Sequence, residues 1–237
     1  MSTISIRRMV TTRHGGVSAP PYASFNLGEH VGDRPEAVAD NRQRLVTAIG
    51  LPTQRLVWTQ QVHGAAVTVI DGPQPRPVPA SDGLVTAQPR LAVAVLVADC
   101  VPVLLADPVR KVVAAVHAGR VGAQAGVLPA ALAAMRQLGA RLERLEVLLG
   151  PSACGRCYEV PASMQADVQA GLPGSACRTR WGTPGLDLRA GLRGQLAAAG
   201  VTRVELDPRC TIEDRALYSY RREGVTGRLA ALTWIEA

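Results

Sequence analysis

At 237 residues, 47% apolar but only 3% aromatic, the chain can bury a large core built mostly of Val, Leu and Ala. Its net charge of +7 rests on 25 arginines and a single lysine, scattered without a block of five. Aromatics do not interleave with them, so the bias reads as the mark of a GC-rich coding sequence and argues against nucleic acid as a partner.

Residues 1–12 read as a short strand, and MSTISIRRMVTTR lacks the apolar centre of a secretory signal. In the turn-rich stretch that follows, Gly15 and Gly16 beside Arg13 suit either an anion-binding loop or a tight turn. Pro35 opens a helix with Asp33 as its N-cap, running to about Ile49 and stopped by Gly50. Strands are expected at 56–60 and 65–70, flanking Gln61-Val62-His63-Gly64. That sets His63 at a strand junction beside a glycine, where a side chain can face a cleft. The proline-rich segment 71–80 is an exposed loop, and residues 81–86 lead into a central hairpin.

Residues 91–98 form a continuous apolar run, long enough for a strand buried on both faces. Residues 101–106 continue it, Asp107-Pro108 signals a turn, and 112–116 is the returning strand. With a turn of residues 107–110, Cys100 faces His117, with Cβ atoms roughly 4.5–5.5 Å apart. A thiolate and an imidazole so placed are suitable first ligands for zinc. The alternative is a buried free cysteine beside a satisfied histidine. Pro102 donates no ladder hydrogen bond and marks a point where a bulge would shift the register. Asp99, Cys100 and Pro102 also make the run a poor membrane span. A cytoplasmic location is therefore the default, with the five cysteines as thiols or ligands.

After His117, Gly119-Arg120-Val121-Gly122 leads into a helix over 123–138. Gly119 and Gly122 would free backbone N–H groups for phosphate at its positive end. A strand at 146–149 ends in Gly150-Pro151. Cys154-Gly155-Arg156-Cys157 suggests half a zinc site or a redox pair, but no second C-x-x-C accompanies it, so it reads as a structural turn with incidental thiols. Helices are expected at 162–170 and 187–199, a short strand at 204–206 and a last strand at 229–235. Before that strand, Tyr218, Tyr220, Arg221 and Arg222 suit stacking on a base and holding a phosphate, or a strand edge with solvated arginines. With no repeat and no linker, residues 1–237 read as a single domain. The four histidines, His14, His30, His63 and His117, are too few for several copper ions held mainly by imidazoles. His63 has the best setting as third ligand beside Cys100 and His117, a His2Cys set with an open position of the catalytic type.

TTRHGGVS, NLGEHVGD, NRQRL, QVHG, ADCVPVLLADP, VHAG, GPSACGRCYEV and CT followed by YSYRREGVTGR occur in that order, from about Met9 to Ile235. Together they resemble the bacterial family once labelled multicopper polyphenol oxidoreductase or laccase-domain. That family is now described as zinc-dependent purine nucleoside phosphorylase and includes the peptidoglycan editing factor. The resemblance implies a mixed α+β fold, a layered α/β/β/α-type sandwich with mixed sheets, and zinc held by His63, Cys100 and His117. It implies phosphorolysis of adenosine, inosine and methylthioadenosine together with adenosine deamination. The partners are then a purine nucleoside and phosphate, with no nucleic acid and no membrane, and the chain is a monomer or weak homo-oligomer. Family members commonly read HAGWRG; here HAGRVG displaces Arg120 by one place and puts Val121 in the usual arginine position.

Arg13, Arg221, Gly119 and Gly122 are the candidate phosphate contacts. Asp99, next to Cys100, is a candidate acid/base, or more naturally a carboxylate that orients His63 or His117. In deamination zinc would lower the pKa of a water toward ~7 for attack at purine C6. The rival readings are a hydrolase acting on a nucleotide-linked muramyl amino acid and a non-catalytic zinc protein whose metal only holds the hairpin.

Overall fold

Apolar runs with no polar alternation need cover on both faces, and here two sheets and three helices supply it. The computed structural model describes residues 5–236; the first four residues of the expected N-terminal strand lie outside them. In chain order the elements are β1 (Ile6–Val10), α1 (Pro35–Ile49), β2 (Leu56–Trp58), β3 (Val67–Val69), β4 (Gly83–Thr86), β5 (Ala92–Val97), β6 (Val101–Asp107) and β7 (Val112–Ala118). There follow α2 (Arg120–Gln124), α3 (Val127–Gln137), β8 (Glu146–Leu149), α4 (Ala162–Gly171), β9 (Ala176–Arg178) and β10 (Pro184–Leu186). The chain closes with α5 (Leu188–Ala198), β11 (Arg203–Leu206), α6 (Tyr220–Glu223) and β12 (Leu229–Ile235). One sheet has the order β1-β12-β5-β2, the other β11-β8-β6-β7-β4-β3, and β9-β10 is a small hairpin. Both large sheets are mixed, with β2/β5, β3/β4 and β8/β11 parallel and the remaining pairs antiparallel.

The layers follow from the period-two alternation of side chains. On β5, Val93 and Val95 join Leu104, Ala106, Val113 and Ala115 in a cluster between the sheets. Ala92, Ala94 and Leu96 on its other face meet Leu45 and Val46 of α1. On β6, Val103 and Leu105 turn outward to Leu128 and Met135 of α3 and Leu192 and Leu196 of α5. The order is α/β/β/α, as the resemblance implies. Each buried Val or Leu contributes roughly 1.5–3 kcal/mol, and β5, β6 and β7 are buried throughout.

Four expectations need correction. The β6–β7 hairpin closes on Asp107 opposite Val112, so His117 faces Pro102 and not Cys100. The cause is Asp107, whose Oδ1 accepts from the backbone N–H of Val109 and Arg110, both at 2.9 Å, while Lys111 takes φ 56°. A shift of two residues leaves every side chain on its expected face. Second, the apolar run 91–106 is not one arm of a hairpin: β5 lies in the four-stranded sheet and β6 in the six-stranded one, and Ala98, Asp99 and Cys100 cross between them. Third, the expected helix over 123–138 is two helices broken at Gly126, which has φ 91°. Fourth, Asp33 does not cap α1. Arg34 holds that place, and Asp33 Oδ2 accepts instead from Ser18 Oγ at 2.6 Å and Asn26 Nδ2 at 2.9 Å. The β9–β10 hairpin had no alternating pattern to announce it. Among the described residues no helix is long and apolar enough to cross a membrane.

Candidate metal centre

His63 comes from the loop after β2, Cys100 from the crossing between the sheets, and His117 from the end of β7. One donor atom from each lies within 4.8 Å of the other two, and the imidazole rings meet edge to face with centroids 4.8 Å apart. His63 and Asp99 take the left-handed region, at φ 58° and 86°, which non-glycine residues hold only under support from their surroundings. Asp82 supplies that support at His63. Its fully buried carboxylate accepts from the backbone N–H of Val62 at 3.1 Å, His63 at 3.0 Å and Gly64 at 2.8 Å. The same carboxylate stands 2.8 Å from His117 Nδ1. With the proton on Nδ1 donated to it, the neutral ring keeps the Nε2 lone pair for a metal, the usual carboxylate–histidine support of a metal ligand.

Charges follow from the crowding. Burial raises the Cys100 thiol, but His117 and then His63 overcome it and bring it down to about 6. Burial likewise opposes a charged His117, yet Cys100 and Asp82 raise it to about 9. Asp82 is pushed up by burial and held below the ordinary carboxylate range by hydrogen bonds from His117, Gly64 and Val62. The thiolate is the metal-binding form of cysteine, and two imidazoles with one thiolate suit zinc among divalent ions. A Cβ at Gly119 would stand 3.0 Å from His63 Cδ2 and 3.1 Å from Cys100 Sγ. Only glycine leaves the three donors this room, so the residues present fit a divalent metal.

The other expected residues divide. Asp99 and Arg221 line the cavity of about 1180 Å³ that opens beside the trio. Contrary to expectation, Asp99 orients neither imidazole: its oxygens accept from Thr211 Oγ1 at 2.6 Å and the Arg221 backbone N–H at 2.7 Å. That task belongs to Asp82, which the sequence reading passed over, although it too is a carboxylate just ahead of a buried strand. Arg13 is not among the lining residues. Its guanidinium pairs with Glu223 at 2.7 Å, donates to the Ala23 carbonyl and stacks 4.7 Å over Tyr218, so it is spent inside the protein. Gly119 packs under the trio, and a Cβ at Gly122 would lie 2.5 Å from the Gly64 carbonyl. Both glycines thus serve close approach, and the helix they open has only five residues.

Of the tyrosine–arginine cluster, Tyr218 is buried and Tyr220 exposed. Arg222 turns inward to the carbonyls of Thr211, Ile212, Asp214 and Leu217. Only Tyr220 and Arg221 face the cavity, Arg221 stacked 5.0 Å over Tyr158. Arg120 also lines it. Among the described residues no carboxylate pairs with Arg120 or Arg221. Arg42, by contrast, is held by Glu29 at 2.5 Å. A second group stands apart: Cys154 and Cys157 are joined by Cys210 and Glu213, with donor atoms all within 4.8 Å. The expected turn is there, closed by Cys157 N–H to the Cys154 carbonyl at 2.9 Å, but its thiols are not isolated. The missed signal was C-x-x-E at 210–213, which repeats the spacing of C-x-x-C.

The model of the multi-copper polyphenol oxidoreductase laccase family matches residues 7–236. A protein of Mycobacterium tuberculosis named purine nucleoside phosphorylase is 56% identical over 234 residues, covering 99% of this chain and 94% of that protein. Another so named, from Corynebacterium glutamicum, is 55% identical over 232 residues, 97% of this chain and 94% of that one. Among solved structures, YlmD from Geobacillus stearothermophilus superposes with a TM-score of 0.92 at 32% identity, covering 98% of this chain and 92% of that one. The hypothetical protein YfiH of Bacillus licheniformis gives 0.90 at 28%, covering 98% and 93%.

Proposed function

The chain belongs to the multi-copper polyphenol oxidoreductase laccase family, and from that premise we propose that it is a zinc-dependent purine nucleoside phosphorylase with adenosine deaminase activity beside it. Its substrates are adenosine, inosine and methylthioadenosine, with phosphate, in the cytoplasm, and the working form is a monomer or weak homo-oligomer. The relatives' names support the reaction class. The observation that carries the reading is the donor trio set in a cleft roomy enough for a nucleoside and phosphate, with Arg120 and Arg221 beside it and, among the described residues, paired to no carboxylate. His63, Cys100 and His117 would hold the ion; bound there, zinc supplies a Lewis acid with one position left over.

In phosphorolysis Arg120 and Arg221 hold the phosphate dianion against the sugar C1′ by charge-assisted hydrogen bonds. A phosphate oxygen bonds to C1′ as the glycosidic bond breaks, and the purine leaves with the electron pair on its ring nitrogen. Tyr158 and Tyr220 offer ring faces to the base. His30, also at the cavity, has its pKa lowered by desolvation at the cleft and then by Arg228 and Arg42, which favours the neutral ring as a hydrogen-bond partner for the base. In deamination water replaces the C6 amino group and ammonia departs.

The test is chromatography of adenosine incubated with the protein, with and without phosphate. Adenine and hypoxanthine that together equal the ribose 1-phosphate formed, only when phosphate is present, are expected, along with inosine in either case. Cys100→Ser should remove both activities. Absence of both products from wild-type protein, with release of an amino acid from a nucleotide-linked muramyl substrate, would move the assignment to the hydrolase.

A further inference from the structure

The thiol cluster between the β8–α4 loop and the turn after β11 plays no part in the chemistry above. We propose that Cys154, Cys157, Cys210 and Glu213 bind a second divalent metal, a closed structural zinc that fastens one wall of the cleft. The four donors all lie within 4.8 Å of one another, within a small inward side-chain adjustment of the roughly 3.8 Å edge of a tetrahedral shell with zinc–sulfur bonds of ~2.3 Å. Each half of the site is the same device. Cys154 accepts at its carbonyl from the N–H of Cys157 and of Tyr158, both at 2.9 Å; Cys210 does so from Glu213 at 3.1 Å and Asp214 at 2.8 Å. Both turns therefore bring residues three apart to one side.

The halves are also locked together. Ser152 and Cys210 form a parallel bridge, Thr211 N–H donates to the Ser152 carbonyl at 3.1 Å, and Cys154 N–H points to Cys210 Sγ at 3.4 Å. All three cysteines are free thiols, the state from which thiolate ligands form. Glu213 Oε1 accepts from Arg180 at 3.0 Å, the supporting contact that a ligating carboxylate usually has. Three sulfurs favour zinc over magnesium or calcium, and four protein donors close the shell, so the ion is structural.

Its consequence reaches the cleft. Thr211, next to Cys210, donates to Asp99, Ala153 N–H donates to the Asp99 carbonyl at 3.0 Å, and Asp99 in turn holds the Arg221 backbone. Ala153, Tyr158 and Arg221 all line the cavity.

The experiment is elemental analysis of full-length protein, purified under reducing conditions, loaded with zinc and freed of excess. It compares wild type, Cys100→Ser/His117→Ala and Cys154→Ser/Cys210→Ser. Two zinc ions per chain are expected in wild type and one in each variant. Cobalt substituted into the Cys100→Ser/His117→Ala variant should show the intense thiolate charge-transfer absorption of a tetrahedral sulfur site. In that background Glu213→Gln, which removes a charged ligand, should weaken zinc binding by at least about 10-fold, the lower end for loss of an outer-shell partner, a readout that survives if the double-serine variant does not fold. No stoichiometric metal in the folded Cys100→Ser/His117→Ala variant overturns the proposal, as does a disulfide within the cluster by mass spectrometry. Neither result touches the phosphorylase reading.

Discussion

The residue with the most leverage is Asp82, since one carboxylate orients His117 and holds three successive N–H groups of the His63 loop. Asp82→Asn keeps the shape but presents an amide to those donors and loses the charge that supports His117. Metal affinity is expected to fall about 10–100-fold in chelator competition, and unchanged affinity would remove Asp82 from its assigned role. The three side chains that meet could be read from the sequence as candidate donors because sulfur and imidazole are scarce and chemically distinctive. Asp82 could not, since nothing local separates it from Asp99, and only the fold decides which carboxylate meets an imidazole. The arginines failed to separate for the same reason. Arg13 and Arg221 look alike in the sequence, but Glu223 neutralises one and leaves the other facing the cavity. Arg221→Ala should therefore raise KM for phosphate, by about tenfold for one charge-assisted contact, with little change in melting temperature. Arg13→Ala should do the reverse, and steady-state kinetics beside thermal unfolding reads both.

At the scale of elements, apolar runs and turn residues announced nine of the twelve strands among the described residues, all but β4, β9 and β10, and Pro35 and Gly50 bounded α1 as expected. What they could not announce was register, because the hairpin turn is set by the hydrogen bonds of Asp107 to its own loop. The short α6 depends on an equally local device. Ser219 caps it by accepting from Arg222 N–H at 3.2 Å, and Glu223 joins Arg13, Arg222 and Thr226. Burial raises the Glu223 carboxyl, but hydrogen bonds from Thr226, Arg222 and Arg13 hold it below its ordinary value. Because its folded-state pKa is depressed, its stabilisation is complete above the ordinary glutamate value and fades as pH falls through the lowered folded one. Wild type should thus lose more melting temperature between pH 6 and pH 3 than Glu223→Gln does, while at pH 7 the variant is less stable by about 1 kcal/mol. Equal acid slopes in the two proteins would show that Glu223 contributes nothing to the pH dependence.

Across the whole molecule, the metal trio joins parts that no strand pairing joins. His63 follows β2 at an edge of the four-stranded sheet, His117 ends β7 inside the six-stranded sheet, and Cys100 lies on the crossing between them. That crossing was invisible in the sequence, because residues 91–106 are apolar on either side of it and both strands are covered on both faces. An ion bound by all three would staple the two sheets at the mouth of the cleft, binding the folded chain but not the unfolded one. Such linkage stabilises by about 4 kcal/mol when free metal is a thousandfold above its dissociation constant. For a chain of this length that is a shift in melting temperature on the order of 10 °C. Chelation should lower the melting temperature of zinc-loaded wild type by about that amount, beyond any drop it causes in Cys100→Ser. The comparison isolates the trio, since metal held by the second cysteine cluster contributes equally to both proteins. Equal drops would mean that the three side chains meet without sharing an ion, and the cleft would then have to be explained by its arginines alone.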